Sequence, residues 1–432
     1  MVRPYNRLMS RVAVIGAGYV GLTTAACFAH IGHDVVCADI DPERVERLQR
    51  GEVPIVEAGL DTLLAEGLRS GRLRFVLGAE VAAADCEFAY LCVPTPQADD
   101  GSADLSYIVA AAESIAPVLP GESVVVNKST VPVGSTKVVE RALNRPDVAV
   151  VSNPEFLREG SAVHDFLHPD RVVIGSDDQA AAIKVASLYL GVPAPLIVTD
   201  PASAETIKYA ANAFLATKIS FINAVAAVCE AVGADVNDVV LGIGYDKRIG
   251  QEFLRPGPGW GGSCFPKDTR AMVHIADTAG YDFDLLKGVI AVNDEQRERV
   301  VQKIVAAAGG SLDGRTVAVW GLTFKARTDD LRESPSLAIV QRLVEEGASV
   351  KAFDPTVTRP LAGFAMEIAA EPYAACEGAD VLAVLTEWDE FRWLDVDKVA
   401  SAMRSRQVVD ARNLLDRGAY MRAGFGFRGI GR

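Results

Sequence analysis

The chain has 432 residues, 50% of them hydrophobic and 23% charged, with a formal net charge of −14. That length exceeds one ordinary core and points to two or three domains. The acidic balance, with no basic stripe to offset it, excludes a nucleic-acid partner. Seven scattered cysteines (Cys27, Cys37, Cys86, Cys92, Cys229, Cys264 and Cys376) form no CxxC pair, and the five histidines show no ligand spacing. Neither structural disulfides nor a metal is therefore expected, and the expected location is the reducing cytoplasm. No stretch reaches the roughly 18 uninterrupted apolar residues of a membrane span, so no membrane partner is expected. The basic start before an apolar run imitates a signal peptide. Glycines break that run after five residues, which reads instead as a strand entering a turn.

In chain order, RVAVIG reads as a buried strand, followed by Gly16-Ala-Gly18-Tyr-Val-Gly21, a helical run, and a second strand ending on Asp39. A GxGxxG between strand and helix, with an acid 23 residues after its first glycine, is a dinucleotide signature. Gly16 permits the tight turn, Gly18 lets backbone approach the pyrophosphate, and Gly21 allows close helix–strand packing. The helix N-terminus offers N–H donors to the phosphates. Asp39 would bond the adenosine ribose and repel a 2′-phosphate, which favours NAD over NADP. CEFAYLCVPTP, ESVVVNKST and VAVVSNPEF read as further strands whose polar loops carry Thr95 and Thr130 at strand C-termini, where open α/β sheets place ligands.

From Ala204 to about Gly233 the chain is rich in alanine and free of proline, a helix of about 45 Å that could join two domains and offer a face to another subunit. Lys208 and Asn212 share one of its faces. The loop GPGWGGSCFPKD sets the thiol of Cys264 among glycines, prolines and charges, an unusual place for a cysteine. A helical run then continues to about Gly309. TVAVWG, a helix and SVKAFDP repeat the order of the N-terminus, with GLTFKA in place of GxGxxG, so this second sheet should not hold a dinucleotide in the same manner. Two later strands end in loops carrying Glu387 and Arg412, and Lys325 and Arg412 are candidate phosphate contacts. The expected fold is α/β: two Rossmann-like doubly wound domains joined by a long central helix, divided as 1–202, 203–308 and 309–432. The glycine- and arginine-rich tail reads as a short strand plus a frayed end.

GAGYVG, VPTP (93–96), STVPVGST (129–136), NPEFLREG (153–160), KYAANAFLA (208–216), GYDKRIG (244–250), GGSCFPKD (261–268) and FKARTDDLRESP (324–335) together resemble the UDP-glucose/GDP-mannose dehydrogenase family, on its UDP-glucose side. The resemblance covers essentially the whole chain; Trp260 stands where relatives often carry Phe. It implies an NAD domain, a helical dimerisation element and a nucleotide-sugar domain, with oxidation of the C6 alcohol of UDP-glucose to a carboxylate and two NAD reduced. Cys264 corresponds to the family's nucleophile. Lys208 and Asn212 would stabilise charge on the C6 oxygen, Asp268 would activate or orient water, and Glu155 would serve as general base in thioester hydrolysis. Thr130 and Glu159 would shape the water and nicotinamide site. NAD contacts would be Asp39, Arg44, Thr95, Lys267 and Arg332; sugar-nucleotide contacts would be Phe156, Leu157, Arg248, Phe253, Gly261, Lys325 and Arg412. The residue matching Arg248 reaches in from a neighbouring subunit, which implies a homodimer or higher homo-oligomer.

The chemistry explains why a thiol is wanted. Alcohol to acid is a four-electron oxidation, and an aldehyde has no hydride to give until a nucleophile adds to it. A GDP-mannose or other nucleotide-sugar dehydrogenase would share this chemistry. A single-step hydroxyacid dehydrogenase would share the N-terminal fold and need no thiol. A non-catalytic sensor would have little reason to keep Cys264, Lys208, Asn212 and Asp268 together.

Overall fold

The computed structural model describes residues 9–98 and 102–432; residues 1–8, with the basic start noted above, lie outside them. It divides into two compact units, the first ending at Ala211 and the second running Asn212–Arg432, so the division falls inside one helix.

The first unit holds an eight-stranded sheet: β1 (Arg11–Ile15), β2 (Asp34–Asp39), β3 (Leu73–Leu77), β4 (Phe88–Leu91), β5 (Val124–Asn127), β6 (Ala149–Ser152), β7 (Val172–Gly175) and β8 (Leu196–Thr199). The spatial order is 3-2-1-4-5-6-7-8. All neighbours are parallel except β6 and β7, which meet antiparallel at Ser152 and Gly175. The strands β4, β5 and β7 are buried throughout, as expected of strands covered on both faces. The chain reverses direction in the sheet between β1 and β4, and this switch point is where such sheets bind ligands, outside the strand C-termini.

The second unit repeats the design. β9 (Thr316–Trp320), β10 (Ser349–Phe353), β11 (Glu367–Ile368), β12 (Val381–Val384), β13 (Gln407–Asp410) and β14 (Gly426–Arg428) form an all-parallel sheet of order 11-10-9-12-13-14. The echo reaches single residues. Asp39 at the end of β2 accepts the Ala17 N–H beside Gly16 at 2.8 Å, and Asp354 just after β10 accepts the Leu322 N–H beside Gly321 at 2.8 Å. Asp354 is further occupied by Thr323, Thr356 and the Trp388 indole, and is 1% exposed. An acid so consumed has no lone pair to offer a ribose, which gives the lost glycine motif a second, independent sign.

The central helix runs Pro201–Val232, three residues earlier than the sequence reading places its start, with Pro201 at an end position where its missing N–H costs nothing. By length and composition it could cross a membrane, as core helices of soluble proteins also can. Its polar groups are engaged within the units. Glu205 accepts the Gly134 N–H at 2.6 Å and the Thr136 N–H at 2.9 Å, capping the helix Ser135–Leu143, and Ser220 donates to Val289 O at 2.8 Å.

Two expectations change. The helical run after the cysteine is two helices, Phe265–Thr278 and Asp284–Ala307, because Gly280 takes φ +79° and ends the first. The tail forms the expected strand β14, but its last residues are pinned, not frayed: Gly431 N–H donates to Glu230 Oε1 at 2.6 Å, Gly431 O accepts Val236 N–H at 2.9 Å, and Ile430 is 1% exposed.

Candidate active site

In the first unit the glycine turn has the shape a dinucleotide needs. Gly16 has φ +101°, and a Cβ there would lie 2.6 Å from the Cys92 carbonyl oxygen. A Cβ on Gly21 would lie 1.8 Å from the Gly16 carbonyl oxygen, whereas one on Gly18 would meet no atom within 4 Å. Gly16 and Gly21 are thus demanded by packing, and Gly18 leaves open the space in front of the helix Tyr19–Ile31. No side chain caps that helix, so its first N–H groups face the opening. Asp39 stands at the end of β2 with Arg44 at 3.4 Å. Thr95 and Thr130 meet as expected of adjacent strand ends: Thr95 Oγ1 donates to Thr130 O at 2.8 Å.

The loop after β6 carries Glu155, Phe156, Leu157 and Glu159. Glu155 and Lys208 are each only 4% exposed at the side chain and pair at 2.7 Å, while the second Glu155 oxygen accepts the Leu157 N–H at 2.7 Å. Burial pushes the Glu155 carboxyl up, but Lys208, the Leu157 N–H and Lys128 together hold it below the usual carboxylate range. Phe156 lies under the Arg171 guanidinium, 3.6 Å from its ring centre, with Lys208 Nζ at 5.6 Å.

In the second unit Cys264 is the N-cap residue of the helix Phe265–Thr278. Its Sγ lies 3.5 Å from Ser263 Oγ. One turn on, Asp268 is fully buried, with Lys267 Nζ at 2.6 Å and the Asn212 side-chain amide donating at 2.6 Å. Among the described residues the other six cysteines are all buried. Burial pushes Cys27, Cys86, Cys92 and Cys376 up to about 12 and Cys37 well above its ordinary value. Only Cys264 is a partly exposed thiol.

The loop before Cys264 packs against the loop that follows β9. A Cβ on Gly261 would lie 2.0 Å from Glu333 O, and one on Gly262 would lie 2.8 Å from the Phe324 ring. Arg412 is aimed by its own fold: Nε donates to Leu385 O at 2.8 Å, one terminal nitrogen to Phe324 O at 3.0 Å, and Glu387 sits at 3.0 Å. Phe253 holds φ +63° with its ring 6.3 Å from that of Phe265, and Lys325 Nζ stands 5.3 Å from the Phe324 ring. Two arginines pair with acids of their own loops. Arg248 is 88% exposed and pairs with Asp246 at 2.5 Å, and Arg332 forms a bidentate pair with Asp330. Gly261→Ala should destabilise the protein by about 1–3 kcal/mol in chemical denaturation, since the added methyl meets backbone that cannot swing away.

Sequence reading missed several positioning groups. Tyr19 of the glycine motif bonds Glu57, and the Gly160 N–H donates to Tyr19 OH at 2.8 Å and to Glu57 at 2.7 Å, tying the loop of Glu155 and Glu159 to the glycine turn. Lys128, two residues before Thr130, is buried against Asn153 and Tyr189 at 3.2 and 3.3 Å. Nothing in a lone Tyr, Glu or Lys marks such a partnership before the strands are placed. A cleft of about 790 Å³ with Glu122, Arg141, Asp147 and Lys184 in its lining opens at the opposite, N-terminal ends of β5 and β6, away from all of these groups.

Residues 10–192 match a family model described as the NAD binding domain of the UDP-glucose/GDP-mannose dehydrogenase family, residues 202–295 its central domain, and residues 318–417 its UDP binding domain. The UDP-glucose 6-dehydrogenase of Rhizobium meliloti is 47% identical, over 98% of this chain and 99% of that protein. A solved UDP-glucose dehydrogenase from the archaeon Pyrobaculum islandicum superposes with a TM-score of 0.92 at 39% identity, covering 100% of both chains. A UDP-D-ManNAc dehydrogenase from Pyrococcus horikoshii reaches 0.87 at 28% identity, over 98% of this chain and 99% of that one. With an NAD cradle at the switch point of one sheet, a partly exposed cysteine in the unit of the other, and these matches along its length, the chain belongs to the UDP-glucose/GDP-mannose dehydrogenase family, and its cofactor is NAD.

Proposed function

We propose that this protein oxidises the C6 alcohol of UDP-glucose to the carboxylate of UDP-glucuronate, through a covalent bond to Cys264. The observation that carries the reading is the state of the seven thiols: six are buried, and the seventh heads a helix with the Asn212–Asp268 pair one turn away. Bound NAD⁺ supplies the hydride acceptor twice per sugar, so that RCH₂OH + 2 NAD⁺ + H₂O gives RCOO⁻ + 2 NADH + 3 H⁺.

The side chains do the rest. In the first oxidation the C6 hydroxyl proton is lost as hydride leaves carbon, and Lys208 Nζ stabilises the charge growing on that oxygen. The Cys264 thiolate then adds to the aldehyde carbon, and the oxygen takes a proton to give a thiohemiacetal. Loss of the second hydride and of the hydroxyl proton leaves a thioester. Water adds to its carbonyl, Glu155 takes a proton from that water, and the C–S bond breaks to return the thiolate and release the acid. Asp268 orients water, Asn212 hydrogen-bonds Asp268 and the C6 oxygen, and Thr130 and Glu159 shape the water and nicotinamide site. Asp39, Arg44, Thr95, Lys267 and Arg332 hold NAD; Phe156, Leu157, Phe253, Gly261, Lys325 and Arg412 hold the sugar nucleotide. The name of the Rhizobium relative and the match to a UDP binding domain support UDP as the nucleotide and glucose as the sugar. The three matched spans likewise support a division near 202 and 308.

The test is stoichiometry with selectivity. UDP-glucose should yield two NADH and one UDP-glucuronate, at far higher kcat/KM than GDP-mannose or UDP-N-acetylmannosamine. Preference for either of the others ends the substrate assignment, and one NADH per sugar ends the covalent mechanism.

The same reading makes the protein a homodimer through the central helix. Phe214, Phe221, Val228 and Val232 line one stripe of it and are all more than half exposed, Phe214 at 65%. Arg248, exposed on its loop, would then serve the sugar site of the neighbouring copy. Phe214→Asp with Phe221→Asp should convert the dimer to a monomer in sedimentation velocity; a wild-type monomer would remove this part of the proposal.

A further inference from the structure

The stretch from Pro256 to Gly262 is buried yet forms neither helix nor strand. Buried backbone N–H and C=O groups must find partners, and Pro256 and Pro258 bring none of their own N–H groups. The partners are side-chain amides. The Gly257 N–H donates to Asn223 Oδ1 at 2.9 Å, and the Gly257 carbonyl accepts from Gln296 Nε2 at 2.8 Å. The Trp260 N–H donates to Asn293 Oδ1 at 2.7 Å, and its carbonyl accepts from Asn293 Nδ2 at 3.1 Å. A primary amide has a donor and an acceptor side by side, so Asn293 pairs with Trp260 as a neighbouring strand residue would. The Trp260 indole N–H, the extra polar group of the residue that stands where relatives often carry Phe, donates to Ser220 Oγ at 2.9 Å.

These groups are buried and lie on two helices. Asn293 is 1% exposed, Gln296 4% and Asn223 1%. Asn293 and Gln296 are three residues apart on the helix Asp284–Ala307 and so share a face. The fit leaves no slack: with φ +119° at Gly259, a Cβ there would lie 2.7 Å from Asn293 Oδ1. Apolar packing alone would let a glycine-rich loop slide; four directional bonds to two residues set its register. Cys264 follows four residues after the last of them.

We infer that Asn293 and Gln296 are positioning residues for Cys264: they hold the backbone of Gly257 and Trp260 so that the thiolate meets the C6 aldehyde before it escapes. This rests on the covalent mechanism proposed above. The first oxidation makes no bond to sulfur, so with bound sugar nucleotide saturating it depends on the clamp only weakly, through the contact at Gly261. The second begins with S–C bond formation and depends on sulfur placement, where a displacement of 1 Å can cost about 100-fold.

Asn293→Asp keeps the acceptor for the Trp260 N–H and sets an anionic oxygen against the Trp260 carbonyl. Gln296→Met keeps the shape and removes only the donor; should Asn293→Asp not fold, it carries the test. In each variant three quantities are measured: the thermal midpoint, the rate at which iodoacetamide alkylates Cys264 in the protein without ligands, and the partition of product between UDP-glucuronate and aldehyde trapped by hydroxylamine. The first hydride step should stay within about threefold of wild type, acid formation should fall by up to about 100-fold, trapped aldehyde should become a main product, and the alkylation rate should shift. If partition and alkylation match wild type, or if activity falls only in step with the folded fraction, the clamp is structural and the inference is overturned. Failure of the underlying mechanism shows separately, in wild type, as one NADH per UDP-glucose.

Discussion

Cys264→Ala should stop acid formation while leaving a slow first oxidation, and should lower NADH release from two per UDP-glucose to at most one. The reason lies in electron count. The first hydride leaves an alcohol carbon and needs only that the hydroxyl proton be lost and the oxygen stabilised, work assigned to Lys208. The second can leave only from a tetrahedral carbon, and without sulfur the aldehyde must first be hydrated by chance. Loss of a covalent nucleophile typically costs on the order of 10³-fold or more, so UDP-glucuronate should fall to near background. No neighbouring thiol can substitute: the six other cysteines are buried, and most are held protonated by that burial. The check is end-point NADH and chromatographed product from the same reaction. Wild-type yields of acid from the alanine variant would refute the covalent route.

Lys208→Met should damage both stability and rate. Lys208 and Glu155 form a buried pair at 2.7 Å, and removing one partner leaves the other charge without compensation, at a cost of about 3–5 kcal/mol. The pH dependence identifies the cause. In wild type the Glu155 carboxyl is held below its ordinary range, against burial, by Lys208 first and by the Leu157 N–H and Lys128 after it. A depressed carboxyl contributes stability above its unfolded value of about 4.3, and that stability is lost only as pH falls through the lower folded value. With Lys208 gone, burial prevails and the carboxyl rises. The folded variant then binds the proton more tightly than the unfolded chain, so its stability should decline as pH rises from about 4 to 7, where wild type gains or holds. Urea unfolding at several pH values measures the sign. Turnover should fall by about 10²–10³-fold, the effect of losing one donor to a developing oxyanion. A variant with wild-type pH dependence of stability would show that Glu155 does not rely on Lys208.

Some of this molecule is written in short segments. The turn at Gly16, Gly18 and Gly21 and the acid at Asp39 are encoded locally, because a strand, a tight turn and a helix N-terminus each need particular residues within a few positions. Cys264 was legible for a similar reason, as a thiol placed among residues where a thiol does not bury. The missing glycines of GLTFKA set the second turn apart from the first, and there Asp354 is engaged by Thr323, Thr356 and Trp388. The break at Gly280 and the pinned tail were not legible: one glycine inside a helical pattern is ambiguous, and a glycine-rich end looks frayed unless Glu230 and Val236 are known to meet it.

Partnerships are what tertiary structure alone decided. Glu155 and Lys208 are 53 residues apart, Asn212 and Asp268 56, and Arg412 and the Phe324 carbonyl 88. Asn293 and Gln296 of the helix Asp284–Ala307 bond the cysteine loop, turning inward to a backbone that has no strand to pair with. The sequence by itself determined the cofactor turn, the two sheets and the one cysteine set apart from the others, since each depends on local backbone need or residue type. Which charge offsets which, and what the cysteine loop bonds to, follow from strand register and helix packing, which act across distances in the chain that no motif spans.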